Sequence, residues 1–116
     1  MHEASIAASL LEMVCTQCRQ EGYGKILQIR IKIGRASGIL SDALSFAFDC
    51  AKKGTEAENA VLFIETIPLT GTCLSCQKNI QADPDERFLF QCPFCGSKQF
   101  SMTGGSELQI VDMDVV

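Results

Sequence analysis

Cys73-Leu-Ser-Cys76 and Cys92-Pro-Phe-Cys95 are two C-x-x-C pairs separated by fifteen residues. In such a pair the chain turns back on itself, so that both sulfurs face one point. Two pairs at this spacing predict a four-cysteine zinc ribbon. Four thiolates complete a tetrahedron and leave no open position for water or substrate. The expected Zn(II) is therefore structural: it folds the module and does not catalyse. Iron is also accepted by four thiolates. Gly96, directly after the second pair, supplies the positive φ that a tight turn often requires.

A second chemistry lies at the other end. His2 is the only histidine. Its bulk is expected to protect Met1 from removal, so the chain would begin with a free amine, an amide nitrogen and an imidazole in succession. A metal bound through the Met1 amine, the deprotonated His2 amide and His2 Nδ1 closes a five-membered and a six-membered ring. Nitrogen donors in a plane suit Ni(II) or Cu(II). Glu3 offers a fourth position through its amide or carboxylate, and it also suits a helix N-terminus as a plain charge.

Cys15 and Cys18 form a third C-x-x-C, spaced to share one helical face. Redox reactivity of such a pair needs a helix N-terminus, where the dipole lowers the thiol pKa. These two fall about three turns into a predicted helix and extend its apolar stripe, so they read as core. Cys50, in a second predicted helix, is expected to be packed as well.

The elements that must position these groups follow from periodicity. Residues 4–21 predict a helix, with Ile6, Ala7, Leu10, Leu11, Met13, Val14, Cys15 and Cys18 on one stripe and Gly22 and Gly24 as its stop. Residues 25–33 predict a strand in which Leu27, Ile29, Ile31 and Ile33 alternate with Gln28, Arg30 and Lys32. Ser41 is the expected N-cap of a second helix, with Asp42 in its first turn and Leu44, Ala47, Phe48 and Ala51 on its apolar face. Gly54 is expected to stop it. Residues 60–67 and 107–115 predict two further strands. The segment 69–103 between them is too poor in apolar residues to hold itself together by burial. The expected class is α+β: a small three-stranded sheet with two helices on one face and an inserted zinc-ribbon module. In domain terms, 1–68 with 104–116 form an α/β domain and 69–103 the ribbon.

The 116 residues carry a net charge of −4, which speaks against a general grip on nucleic acid. The ribbon sets Lys78, Arg87 and Lys98 against Asp83, Asp85 and Glu86, which gives that reading little support. The apolar runs are too short to span a bilayer. Seven cysteines without a recognisable leader predict a reducing, cytoplasmic setting. With the single histidine at the terminus, no nucleophile–base constellation suggests an enzyme.

The chain resembles the HypA/HybF family, nickel-insertion accessory proteins for [NiFe]-hydrogenase maturation. The resemblance rests on Met1-His2-Glu3, Lys32-Ile33-Gly34, Leu44-Ser45-Phe46-Ala47-Phe48, the late double C-x-x-C and Glu107-Leu108-Gln109-Ile110. It implies Ni(II) as cargo at His2 and zinc at Cys73, Cys76, Cys92 and Cys95. The implied partners are a nickel-handling GTPase of the same pathway and the hydrogenase large-subunit precursor, with urease served by some members; a homodimer is open. An acidic residue before the second helix belongs to the nickel site in parts of the family. Asp42 is its nearest match and is displaced from that position. Cys15-Thr-Gln-Cys18 is not a family motif.

Overall fold

A computed structural model of the chain describes residues 3–82 and 91–116. The described elements are α1 (Glu3–Gln20), β1 (Ile26–Gly34), a 3-10 turn (Arg35–Ser37), α2 (Ser41–Ala51), β2 (Val61–Ile67), β3 (Thr70–Cys73), β4 (Asn79–Gln81), β5 (Phe100–Gly104) and β6 (Leu108–Val115). They build two three-stranded sheets, ordered β2-β1-β6 and β4-β3-β5. The three strands expected at 25–33, 60–67 and 107–115 thus share one sheet, with β1 in the middle. The chain divides into two compact units: Met1–Ile31, Ile39–Ile64 and Ile110–Val116 form one, and Lys32–Gly38 with Glu65–Gln109 the other.

In the first unit α1 packs on α2. Ala7, Leu10, Leu11, Val14, Cys15 and Cys18 are the buried face of α1, and Leu44 and Phe48 that of α2. Ile26, Ile29 and Ile31 of β1 are also fully buried. Gly22 adopts φ +82° directly beyond α1, and the Tyr23 N–H returns to the Cys18 carbonyl at 3.0 Å, which closes the helix end as expected.

Five expectations need correction. Met13 is 56% exposed, because it sits at the border of the stripe and lines an open cleft with Val14, Gln17, Ile110, Asp112 and Met113. Leu27 is 43% exposed and Ile26 is buried in its place. The Ile26 N–H is held by the Glu56 carbonyl at 2.9 Å, so the inward alternation begins one residue early and is out of phase with Ile29. Ser41 is the first residue of α2 and not its cap; Leu40 occupies the N-cap with no capping side chain. Cys50 is exposed. It lies two residues past the buried Phe48, about 200° round the helix from it. Gly54 is left-handed (φ +79°), but α2 already ends at Ala51, with Lys52 as C-cap.

On the outward face of β1, Arg30 reaches Asp112 and Asp114 of β6 and the Gln28 amide oxygen. Hydrogen bonds to Asp112 and Asp114 raise the guanidinium pKa further. The alternating aspartates of the last strand thus have a cross-strand partner.

The second unit contains strands the sequence pattern did not announce. β3 runs antiparallel to β4, with Thr70 opposite Gln81 and Thr72 opposite Asn79. It also pairs antiparallel with β5, with Thr72 opposite Ser101 and Cys73 opposite Phe100, after a register shift between Thr70 and Gly71. The buried cluster is Cys73, Ile80 and Cys92, with Cys76 and Phe100 packed against it. Sulfur thus fills the place of aliphatic carbon. The join after β5 depends on two glycines. A Cβ on Gly34 would stand 2.1 Å from the Gly105 carbonyl carbon, and one on Gly105 would stand 2.6 Å from Leu69 Cα. Gly105 also has φ +109°, a conformation side chains disfavour.

Candidate metal centre

Two near-identical turns bring the four predicted ligands together. In the first, the Gln77 N–H donates to the Cys73 carbonyl (2.9 Å) and the Cys73 N–H to the Lys78 carbonyl (2.9 Å). In the second, the Gly96 N–H donates to the Cys92 carbonyl (2.9 Å) and the Cys92 N–H to the Ser97 carbonyl (2.8 Å). Each turn needs a left-handed residue after its second cysteine. Gly96 fills that position at φ +80° and Gln77 at φ +64°. Gln77 is the described non-glycine residue with positive φ. Its composition gave no warning, and only the likeness to the Gly96 turn could have found it. The turns are tied to each other by Ser75 Oγ to Ser97 Oγ (2.9 Å), and the first is tied to the residue before β5 by the Leu74 N–H on the Gln99 carbonyl (3.0 Å).

The sulfurs of Cys73, Cys76, Cys92 and Cys95 all lie within 4.8 Å of one another. Cys73 and Cys95 are 3.5 Å apart, and Cys76 and Cys92 3.7 Å. Zinc–sulfur bonds of about 2.3 Å place tetrahedral ligands about 3.8 Å apart. The donor set therefore fits structural zinc in both kind and spacing.

Electrostatics point the same way. The N–H groups of Cys76 and Ser75 outweigh burial at the Cys73 sulfur and, with the neighbouring thiols, bring its pKa to about 6. Burial raises the Cys92 thiol, yet the N–H groups of Phe94 and Cys95 and the neighbouring thiols leave it below its usual value. At Cys95 the Ser97 N–H favours the thiolate, but burial and sharing with Cys73, Cys92 and Cys76 push the thiol up to about 12. Some of the sulfurs are prepared for charge, but four thiolates this close need a cation before all can ionise.

The other predicted site residues are distributed differently. Met1 and His2 lie outside the described residues. Glu3 opens α1, and its carboxylate accepts the Leu40 N–H at 3.2 Å. Its own N–H and that of Leu40 hold the carboxyl below the usual range. Asp42 is exposed in the first turn of α2. Cys15 and Cys18 are buried, at 4% and 0% exposure, as the stripe required. The Cys18 thiol donates to the Tyr23 carbonyl at 3.5 Å, and burial followed by the Glu56 charge raises its pKa. Both effects oppose a reactive thiolate.

A family model described as hydrogenase/urease nickel incorporation, metallochaperone, hypA matches residues 1–115. The hydrogenase maturation factor HypA of Rhizobium leguminosarum bv. viciae is 40% identical over 116 residues, covering 100% of both chains. That of Paracoccus denitrificans is 35% identical over 116 residues, again covering 100% of both. The solution structure of the Ni metallochaperone HypA from Helicobacter pylori has the same fold, with a TM-score of 0.68 at 21% identity over 100% of this chain and 98% of that one. From its ends to its four-cysteine cluster, the chain belongs to the HypA family of nickel-incorporation metallochaperones.

Proposed function

We propose that the chain binds Ni(II) through the Met1 amine, the His2 amide and His2 Nδ1, and hands it to the [NiFe]-hydrogenase large-subunit precursor during maturation. The observation that carries this is the family match, which spans residues 1–115 and so takes in the Met1-His2-Glu3 terminus. Nickel incorporation is the family's business, and the nitrogen set at that terminus is the one donor group in the sequence suited to a square-planar divalent ion.

In this reading 1–68 with 104–116 serve nickel, and 69–103 is a rigid module held by zinc on Cys73, Cys76, Cys92 and Cys95. That zinc is coordinatively closed and performs no chemistry. The protein is a carrier without turnover. Its partners are a nickel-handling GTPase of the pathway and the hydrogenase precursor, met in the cytoplasm. No described helix is long and apolar enough to cross a membrane.

His2→Ala tests the proposal. The variant should lose stoichiometric Ni(II) in equilibrium dialysis and fail to restore hydrogenase activity in a cell lacking the native protein, with zinc content unchanged. Retention of tight nickel would move the site elsewhere.

A further inference from the structure

Leu69 stands just before β3 and Gly105 just after β5, so these two residues mark where the chain enters and leaves the ribbon. Leu69 is 2% exposed, and its carbonyl accepts the Ala82 N–H at 2.8 Å. Gly105 lies on Leu69 with no room for a side chain between them, and Gly34 lies just as closely on Gly105. The Gly34 N–H donates to the Glu107 carbonyl (2.7 Å) and the Ala36 N–H to the Gly105 carbonyl (2.6 Å). The last residue of β1 and the 3-10 turn after it thus take these acceptors from the chain that leaves the ribbon. No residue of that turn is buried, so apolar packing does little to hold it.

Gly105 has φ +109°, and a glycine loses more conformational freedom than any other residue when it is fixed. The Glu107 carboxylate accepts its N–H. The N–H groups of Gly105 and of Glu107 itself hold that carboxyl below the usual range in spite of burial, helped by the Ser106 N–H and the Lys32 charge. The bond to Gly105 is therefore charge-assisted at neutral pH. Glu107 grips two chain segments at once: its side chain holds Gly105, and its carbonyl holds Gly34.

We propose that Glu107 is a latch that couples the fold of the ribbon to the end of β1. While the ribbon is folded, Gly105 is fixed and Gly34 and Ala36 keep their acceptors. When the ribbon opens, the end of β1 and the 3-10 turn are released with it. The influence of the four-cysteine cluster thus extends past residues 69–103 to residues 34–36. The inference rests on the reading of 69–103 as a module folded by zinc.

The test uses the zinc-loaded full chain, with amide hydrogen exchange read at Gly34, Ala36 and Gly105 and at Val14 of α1 as a reference. Glu107→Ala should speed exchange at the first three roughly tenfold, with zinc content and Val14 unchanged. Glu107→Gln keeps an oxygen acceptor and loses only the charge, so it should give a smaller rise at the same three amides. Removing zinc from the native chain with a chelator should release Gly34 and Ala36 together with the β3 amides, while Val14 stays protected. Native exchange at Gly105 in both variants would overturn the latch. Protection kept at Gly34 and Ala36 after β3 has opened would overturn the coupling. Protection kept in β3 itself after zinc removal would instead overturn the zinc-held module. That failure is distinguishable, because the Glu107 variants are read with zinc in place.

Discussion

Cys15 and Cys18 lie on the buried stripe of α1, and their chemistry follows from that placement. The Cys18 thiol donates a hydrogen bond to a backbone carbonyl, and burial with the nearby Glu56 disfavours its thiolate. Such a pair behaves as small packing groups. Replacing both by Ala should lower unfolding free energy by about 1–2 kcal/mol, measured by urea denaturation, with nickel stoichiometry unchanged. Loss of nickel at unchanged stability would instead make them ligands. At this scale the sequence was readable wherever a residue's spacing set its environment. Helical periodicity foretold the burial of Cys15 and Cys18, and ligand spacing foretold the four-cysteine cluster. It was not readable where a single backbone bond decided. The Ile26 N–H on Glu56 turned Leu27 outward, and the Leu40 N–H at the start of α2 is held by the Glu3 carboxylate. Both partners are distant in sequence, so no local pattern encodes them.

At the scale of elements, the strongly alternating β1 and the striped α1 were found within a residue of their ends. The ribbon strands β3, β4 and β5 were not. They are three to five residues long, carry Thr, Gly, Asn and Ser, and have no repeated apolar face. Their pairing is framed by the two cysteine turns, which no periodicity in the strands themselves announces. With Leu69, Cys73, Ile80, Ala82 and Cys92 as the buried apolar residues among 69–82 and 91–103, metal binding must supply much of the folding free energy. Cys73→Ser and Cys92→Ser should each remove zinc, seen by metal analysis, and abolish amide protection in β3, β4 and β5. The helices should retain most of theirs. A variant without zinc whose ribbon amides stay protected would show that burial alone holds the module.

For the whole molecule, the proposed division of labour runs between a closed metal site and an open one. Four thiolates fill every coordination position of a tetrahedral ion and hold it too firmly for a cargo. A carrier must release what it holds, which calls for few protein donors and ready access by a partner. A terminal amine beside one imidazole meets that need, and protons or a competing ligand can displace it. The sequence pointed to the four-cysteine cluster from donor type and spacing alone, because a tetrahedron of ligands is local geometry. It could not supply the link between Glu3 and the start of α2, which exists only once two helices have packed.

The most direct measurement of the central claim is a Ni(II) titration of the native chain against one extended by two residues before Met1. Extension turns the amine into an amide and destroys the five-membered chelate ring, while the zinc turns and the packed helices are untouched. The native chain should bind one Ni(II) with a strong ligand-field band. The extended chain should lose tight binding while keeping its zinc and its circular dichroism spectrum. Equal nickel affinity in the two chains would contradict the account, because the Met1 amine would then not be a ligand.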